Sequence, residues 1–352
     1  MIKPKRESVN LDTLRKQLLG WYEAHRRDLP WRRSRNPYYI WVSEIMLQQT
    51  RVAVVIDRFR AFVNRFPTVE SLARSAEQDV LALWSGLGYY CRARMLHQAA
   101  QFVAAHRQSR LPETADELRE LPGIGGYTAA AIASIAHGEP VAVVDGNVER
   151  VICRVEGWGE GGIEGPAALK RKIQARASEV LDPERPGDFN QAMMELGATV
   201  CLPRNPQCLV CPLVPWCQTL GEHKTVPRAA RLSRAVGHAL VARAEIEGAE
   251  ADGEVLLEQR PATETVMTGM WQLPVLREAA VPAADLRMTV RHAIMQVDYQ
   301  VSVRTVSPRD VVRLTVTGGE RRWVRLEDLA GLPLTGLTRK VLLRAQLLSD
   351  GG

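Results

Sequence analysis

Leu11, Leu14, Leu18 and Trp21 recur at the spacing of one helical face, with polar residues between them. Asn10 precedes the run, so the pattern predicts a capped helix over 11–27, broken at Leu29-Pro30-Trp31. Pro37 opens a second helix through Gln49, and 51–66 make a third before Pro67. Further helices are predicted over 76–84, 89–106, 114–120, 126–137, 145–156, 166–181 and 187–200. The pattern changes after Cys217. Residues 221–235 are polar and basic without apolar periodicity, and predict a linker. Beyond it, 238–246, 253–260, 288–306 and 321–326 are rich in alternating Val and other strand formers, before a closing helix over 338–348.

The expected fold class is therefore a mainly α N-terminal domain over 1–220, the linker 221–235, and a smaller α+β domain over 236–352. A length of 352 residues suffices for two domains, and a charged share of 24% is that of a soluble globular chain. No apolar run approaches the roughly 20 residues of a membrane span, and the basic start lacks the apolar region of a signal peptide. The expected place is the cytoplasm, at the nucleoid in a bacterium. The net charge of +6 is uneven: residues 1–110 hold 19 Lys and Arg against 9 Asp and Glu, the remainder 27 against 31. A basic first third suits a phosphate-lined partner, although a solvated surface has the same composition.

Three features carry chemistry. Cys201, Cys208, Cys211 and Cys217 form C-x6-C-x2-C-x5-C, with Cys91 and Cys153 outside the group. In a reducing compartment four such thiols point to a metal site, and the residues alone leave structural zinc and an iron-sulfur cluster both open. The turn Pro122-Gly123-Ile124-Gly125 feeds a helix, and the N–H groups left unpaired at such a start can hold an anion such as a DNA phosphate. Asp145 then opens the next helix, beside Gly146 and Asn147, where an aspartate can also serve simply as a cap. Finally, every residue from Tyr38 to Leu47 except Ser43 and Glu44 is apolar or aromatic. Desolvation there should raise the pKa of Glu44 and make it a candidate general acid.

The turn LPGIG followed about twenty residues later by VDGN resembles the helix-hairpin-helix DNA glycosylases. Within that superfamily the chain resembles the MutY-type adenine DNA glycosylases, strongly over 20–217 and in patches beyond. The resemblance implies excision of adenine mispaired with 8-oxoguanine or guanine in double-stranded DNA, by a monomeric enzyme with no membrane partner. It implies that Glu44 protonates N7 of adenine, Asp145 stabilises the oxocarbenium ion, Asn147 orients that aspartate, and Tyr127 bonds in the same pocket. The cysteine spacing matches the loop that holds a 4Fe-4S cluster in these families, near which Arg204, Lys224 and Arg228 could face phosphates.

A base inside a duplex must be extruded before its glycosidic bond can be reached. Gln48, Gln49 and Thr50 present flat amides and a hydroxyl to an orphaned base, and Leu87 and Tyr89 in a glycine-flanked turn can wedge beside it. Gln49, Thr50, Leu87 and Tyr89 match the family residues next to the opposing 8-oxoguanine, while Trp31, Arg32 and Gln191 resemble an adenine-pocket lining. Bifunctional relatives such as endonuclease III carry a lysine where this chain has Tyr127, and a phenol forms no Schiff base. The expected product is an abasic site without efficient strand cleavage.

The C-terminal part resembles the Nudix-like domain that reads 8-oxoguanine, best at 269–274 and around 291–297. The REXXEEXG pattern of Nudix hydrolases is absent, which implies recognition rather than hydrolysis. Where many family members carry Phe-Ser-His, this chain has Ile294-Met295-Gln296, so discrimination of 8-oxoguanine from guanine is expected to be weaker or to fall to a residue such as Gln296 or His292. Two other readings stay open: a thymine glycosylase for T·G mispairs, and a catalytically silent lesion binder.

Overall fold

The computed structural model describes residues 10–158, 165–222, 232–244, 253–264, 266–276, 285–294, 297–307 and 319–349. Its helical part runs α1 (Leu11–His25), α2 (Pro37–Leu47), α3 (Val52–Arg65), α4 (Val69–Ala73), α5 (Glu77–Leu83), α6 (Cys91–His106) and α7 (Ala115–Leu118). It continues with α8 (Gly126–Ile132), α9 (Gly146–Glu156), α10 (Pro166–Val180) and α11 (Pro186–Thr199). Asn10 caps α1 as its sequence predicts, its side chain accepting from the N–H groups of Asp12 and Thr13. Helix α4 is absent from the sequence expectation, because five residues are too few to show a period. Its start is fixed instead by Thr68 and Ser71, each hydroxyl accepting from the other's N–H at 3.1 and 3.0 Å.

The helix predicted over 126–137 changes character at Ala133, where a π turn runs to His137. There the buried Ser134 hydroxyl donates to the Ala130 carbonyl at 2.7 Å and accepts from the Asn190 amide at 2.9 Å, competing with the regular ladder. Leu14, Leu18 and Tyr22 of α1 bury against Val148 and Ile152 of α9 and Phe189 and Leu196 of α11 in one apolar core. Removing a side chain of that size from water stabilises by roughly 1.5–3 kcal/mol. Helices α9 and α11 cross closely because residue 197 is glycine: a Cβ there would lie 2.6 Å from the Asn147 Cβ. Among the described residues, no helix is long and apolar enough to cross a membrane.

The rest forms two sheets. Strands β1 (Leu232–Leu240), β5 (Leu286–Ile294) and β6 (Val297–Thr305) lie in the order β1-β6-β5, with β1 parallel to β6 and β5 antiparallel to it. Strand β3 (Gly253–Gln259) centres the other, pairing antiparallel with β2 (Ala242–Ala244), β4 (Trp271–Gln272) and β7 (Arg321–Arg325). Helix α12 (Gly336–Arg344) supplies Val341 and Leu342 to a core with Val290, Val301 and Val324. The run 288–306 is thus two strands, with Ile294 opposite Val297.

The density of contacts divides the chain into two units, Met1–Ala73 with Gln98–Pro227, and Arg74–His97 with Arg228–Gly352. The segment 74–97, expected in the first domain, groups with the second. There the Tyr90 hydroxyl donates to the Leu334 carbonyl at 3.0 Å. Strand β1 also begins inside the stretch expected as linker, since residues 232–235 are exposed and show no apolar alternation that would mark a strand.

Candidate active site

Helix α2 is apolar on nearly every side and is buried from Tyr38 to Met46 except at the half-buried Tyr39. Pro37 opens it and Asn36 caps it, its side chain accepting from the Tyr38 N–H at 2.9 Å. This helix carries Glu44 into the interior with 6% of its surface exposed. Desolvation raises its pKa from 4.5 to about 7; the charge of Asp145 adds to the rise, while the Tyr127 hydrogen bond and Arg32 oppose it. The carboxyl is therefore protonated to a much higher pH than an exposed glutamate.

Gly123 takes a left-handed φ of +74° in the tight turn before α8, and Gly125 is the residue before its first turn. Tyr127 stands in that turn, and its hydroxyl donates to Glu44 Oε2 at 2.7 Å and lies 3.4 Å from the Met194 Sδ. Asp145 caps α9: Oδ1 accepts from the N–H groups of Asn147 and Val148 at 2.9 and 2.8 Å, and Oδ2 from the Asn147 side-chain amide at 2.8 Å. An ionised carboxylate at a helix N-terminus suits the helix dipole, so capping and a charge-stabilising role are compatible. Asn147 is itself held by Arg150, which donates to its Oδ1 at 2.8 Å, to the Gly197 carbonyl at 2.7 Å and to the Cys201 carbonyl at 2.8 Å.

Glu44, Tyr127, Asp145 and Asn147 line one cleft of about 820 Å³. Gln48, Gln49, Thr50, Gly123, Gly125, Trp31, Arg32 and Gln191 line it too, so sequence reasoning had gathered residues that the fold brings together. Glu195, Arg27, Arg150 and Met194 were not foreseen. Glu195 is 1% exposed and receives Arg27 Nε and Nη2 at 2.7 Å each and Arg32 Nη2 at 2.9 Å. Burial would raise its pKa, but hydrogen bonds from Arg27 and Arg32 outweigh that and hold it at about 2. A signal was available: Gln191, Met194, Glu195 and Ala198 form one face of α11, and all four line the cleft.

Helix α2 stops at Leu47, short of the expected Gln49, which adopts a left-handed φ of +56° and is exposed. Gln48 is half-buried, its amide 3.4 Å from the Thr128 hydroxyl. In the second unit the turn 86–90 presents Tyr89, 43% exposed, while Leu87 beside it is 5% exposed, so the two expected wedge residues are not equivalent. Tyr89 has a φ of +48°. Arg92 braces it: its Nη2 donates to the Leu87 and Gly88 carbonyls at 3.0 and 3.1 Å, and its guanidinium lies 5.5 Å from the Tyr89 ring centre. Met295 and Gln296 lie outside the described residues, as do Lys224 and Arg228. His292 is half-buried, and burial and Lys340 lower its pKa.

Cys201, Cys208, Cys211 and Cys217 line a second, smaller pocket together with apolar Val151, Leu196, Val200 and Leu213. Arg154 Nη1 lies 3.4 Å from the Cys201 Sγ, and the Leu220 N–H 3.5 Å from the Cys217 Sγ. Four sulfurs with N–H donors aimed at two of them form a donor set suited to a thiolate-bound group. Among the described residues, no three His, Cys, Asp or Glu side chains are drawn together as a ready single-ion site.

Residues 42–179 match the HhH-GPD superfamily of base excision DNA repair proteins, and 248–344 match the NUDIX domain. Residues 42–179 thus carry a helix-hairpin-helix superfamily domain, and a Nudix domain follows it in the chain. Within that superfamily the likeness is to the MutY type. The adenine DNA glycosylase of Homo sapiens is 45% identical over 222 residues, which are 60% of this chain and 40% of that protein. That of Mycolicibacterium smegmatis is 43% identical over 198 residues, 56% of this chain and 66% of that one. The chain therefore spans less than half the length of the human relative that it matches. Among solved structures, a thermostable thymine-DNA glycosylase is similar with 28% identity and a TM-score of 0.54, covering 60% of this chain and 96% of its own. An endonuclease III–DNA covalent intermediate shares the fold, with 20% identity and a TM-score of 0.51 over 61% of this chain and 98% of its own.

Proposed function

We propose that this protein is a monofunctional DNA glycosylase that removes adenine mispaired with 8-oxoguanine or guanine in base excision repair. The observation that carries the reading is the Glu44–Tyr127 hydrogen bond of 2.7 Å in a cleft that also holds the capped Asp145. Glu44, protonated near neutral pH, gives its proton to N7 of the extruded adenine. The C1′–N9 bond then breaks, its electron pair leaving with the base. Asp145, held in place by Asn147 and the start of α9, stabilises the cationic sugar until water adds at C1′.

None of the described residues lining the cleft is lysine, in keeping with base removal without a Schiff base. The four cysteines hold a 4Fe-4S cluster, a structural group that fixes the 201–217 loop against α9 and does no bond chemistry. In the Nudix domain Gln296 or His292 reads the oxidised base. The likeness to a thymine-DNA glycosylase keeps a T·G mispair as the second reading.

Single-turnover base release from A·8-oxoguanine, A·G and T·G duplexes, for wild type and Asp145→Asn, tests both. Rapid adenine release abolished in the variant is the expected result. Thymine release in its place would replace the reading, and binding without release would leave a silent lesion binder.

A further inference from the structure

Behind the cleft the first unit holds another cavity, of about 300 Å³, at the lower edge of the roughly 300–1,000 Å³ of small-molecule sites. Trp31, Arg32, Ile135 and Gln191 line both spaces and so form the wall between them. The two open to solvent at different places. Exposed Gln49, Gly123 and Gly146 border the cleft, whereas exposed Arg26, Ser34, Arg35 and Glu184 border the second cavity.

Two of the four wall side chains are held by named contacts. Trp31 is buried and packs edge-on to Phe59 with ring centres 5.5 Å apart. Arg32 is tied to Glu195 at 2.9 Å and to the Arg27 carbonyl at 3.2 Å. Gln191 is half-buried, and its amide makes no hydrogen bond among the described residues. A rotamer change at Gln191 would alter this wall without breaking a hydrogen bond among the described residues.

We propose that the second cavity is a subsite for the excised base, through which a free, neutral purine leaves while the abasic duplex still covers the cleft. Gln191 is the gate. The chemistry of the lining suits a purine: Trp31 and the guanidinium planes offer flat surfaces for stacking, while the Gln191 amide and Glu184 carboxylate offer donors and acceptors to the base edge. The lining mixes Glu184 and Asp188 with Arg26, Arg32, Arg35 and Arg185, and this mixture is compatible with a neutral ligand. The inference rests on the adenine reading, and it concerns how the product departs, not how it forms.

The test uses the whole protein and an A·8-oxoguanine duplex with radiolabelled adenine, in single turnover with enzyme in excess. Arg35→Trp and Glu184→Trp place bulk at the mouth, where neither wild-type side chain makes a bond among the described residues. Cleavage is read by cutting the abasic strand with alkali, and base escape by rapid gel filtration of the enzyme–DNA complex. The expected result is wild-type cleavage in both variants with base escape slowed by about ten-fold. Arg35→Ala and Glu184→Ala should release like wild type, which separates bulk from lost charge. Tryptophan variants that release the base at the wild-type rate would overturn the subsite, as would a wild-type complex that frees its base only together with the DNA. Absence of any cleavage by wild type would instead sink the adenine reading itself.

Discussion

Glu44 and Glu195 line the same cleft and are pushed in opposite directions by their neighbours, and that contrast sets how the protein should respond to pH. Glu44 has its pKa raised to about 7 by burial, so it serves as an acid below that value and activity should fall as pH rises through it. The same burial affects stability. A raised pKa means that its contribution is full below the unfolded value near 4.5 and is lost as pH rises through about 7. Glu44→Gln should therefore lower excision by roughly 10²–10⁴-fold, yet make the fold more stable above neutral pH by about 3 kcal/mol. Urea denaturation at pH 5 and pH 8 checks the sign, since the gain should be confined to the higher pH. For Glu195, held at about 2, stability is full above the unfolded value and lost only as pH falls through about 2. Glu195→Ala would leave Arg27 and the 12%-exposed Arg32 side chain facing each other without their carboxylate. It should cost about 3 kcal/mol, read as a lower urea midpoint. Glu44 was legible in the sequence because its apolar setting is local. Glu195 was not, because Arg27 and Arg32 stand 168 and 163 residues away and no periodicity connects them.

At the scale of elements, the helix pattern predicts α1 to α3 and α9 to α11 to within a few residues, since each has a cap, a proline or an apolar stripe of its own. What it does not predict is how closely they meet. The α9–α11 crossing depends on Gly197, whose carbonyl accepts from Arg150 and whose absent Cβ leaves room for Asn147. Asn147 in turn holds Asp145 at 2.8 Å, so the crossing sets where the carboxylate stands. Gly197→Ala must push the helices apart, at a cost of about 1–3 kcal/mol typical of overpacking. Because the displacement acts on the aspartate rather than on the turn 123–125 proposed to hold the duplex, the single-turnover rate should fall while duplex affinity stays unchanged. An unchanged rate would mean that α9 moves without carrying Asp145 with it. Where α8 gives way to a π turn, the cause is also tertiary: Asn190 reaches Ser134 from another helix. Sequence periodicity carries no trace of that bond.

At the scale of the molecule, the described residues lining the cleft around Glu44 and Asp145 run from Arg27 to Ala198, all within the first unit. The segment 74–97 lies between them in the chain yet groups with residues 228–352. The sequence could not reveal this, because α5 and the turn 86–90 read as one more stretch of a helical domain. Their partners, Leu334 for Tyr90 and Thr268 for Arg94, come more than 170 residues later. A chain ending at 222 should therefore fold its cleft and still release adenine, but with segment 77–97 loosened. Losing residues 228–352 removes the Leu334 carbonyl that accepts from Tyr90 and the Thr268 carbonyl that accepts from Arg94, and each hydrogen bond lost costs about 0.5–1.5 kcal/mol. Local opening of that size raises amide exchange by about ten-fold or more in the segment concerned. Exchange measured on both chains should thus speed up over 77–97 and stay unchanged over α2 and α9. If Tyr89 acts on the duplex, the shortened chain should also bind mispaired DNA more weakly while keeping its cleavage rate at saturation, because the turn that presents Tyr89 has lost its support. Equal exchange in both chains would mean that the segment is held by the first unit after all.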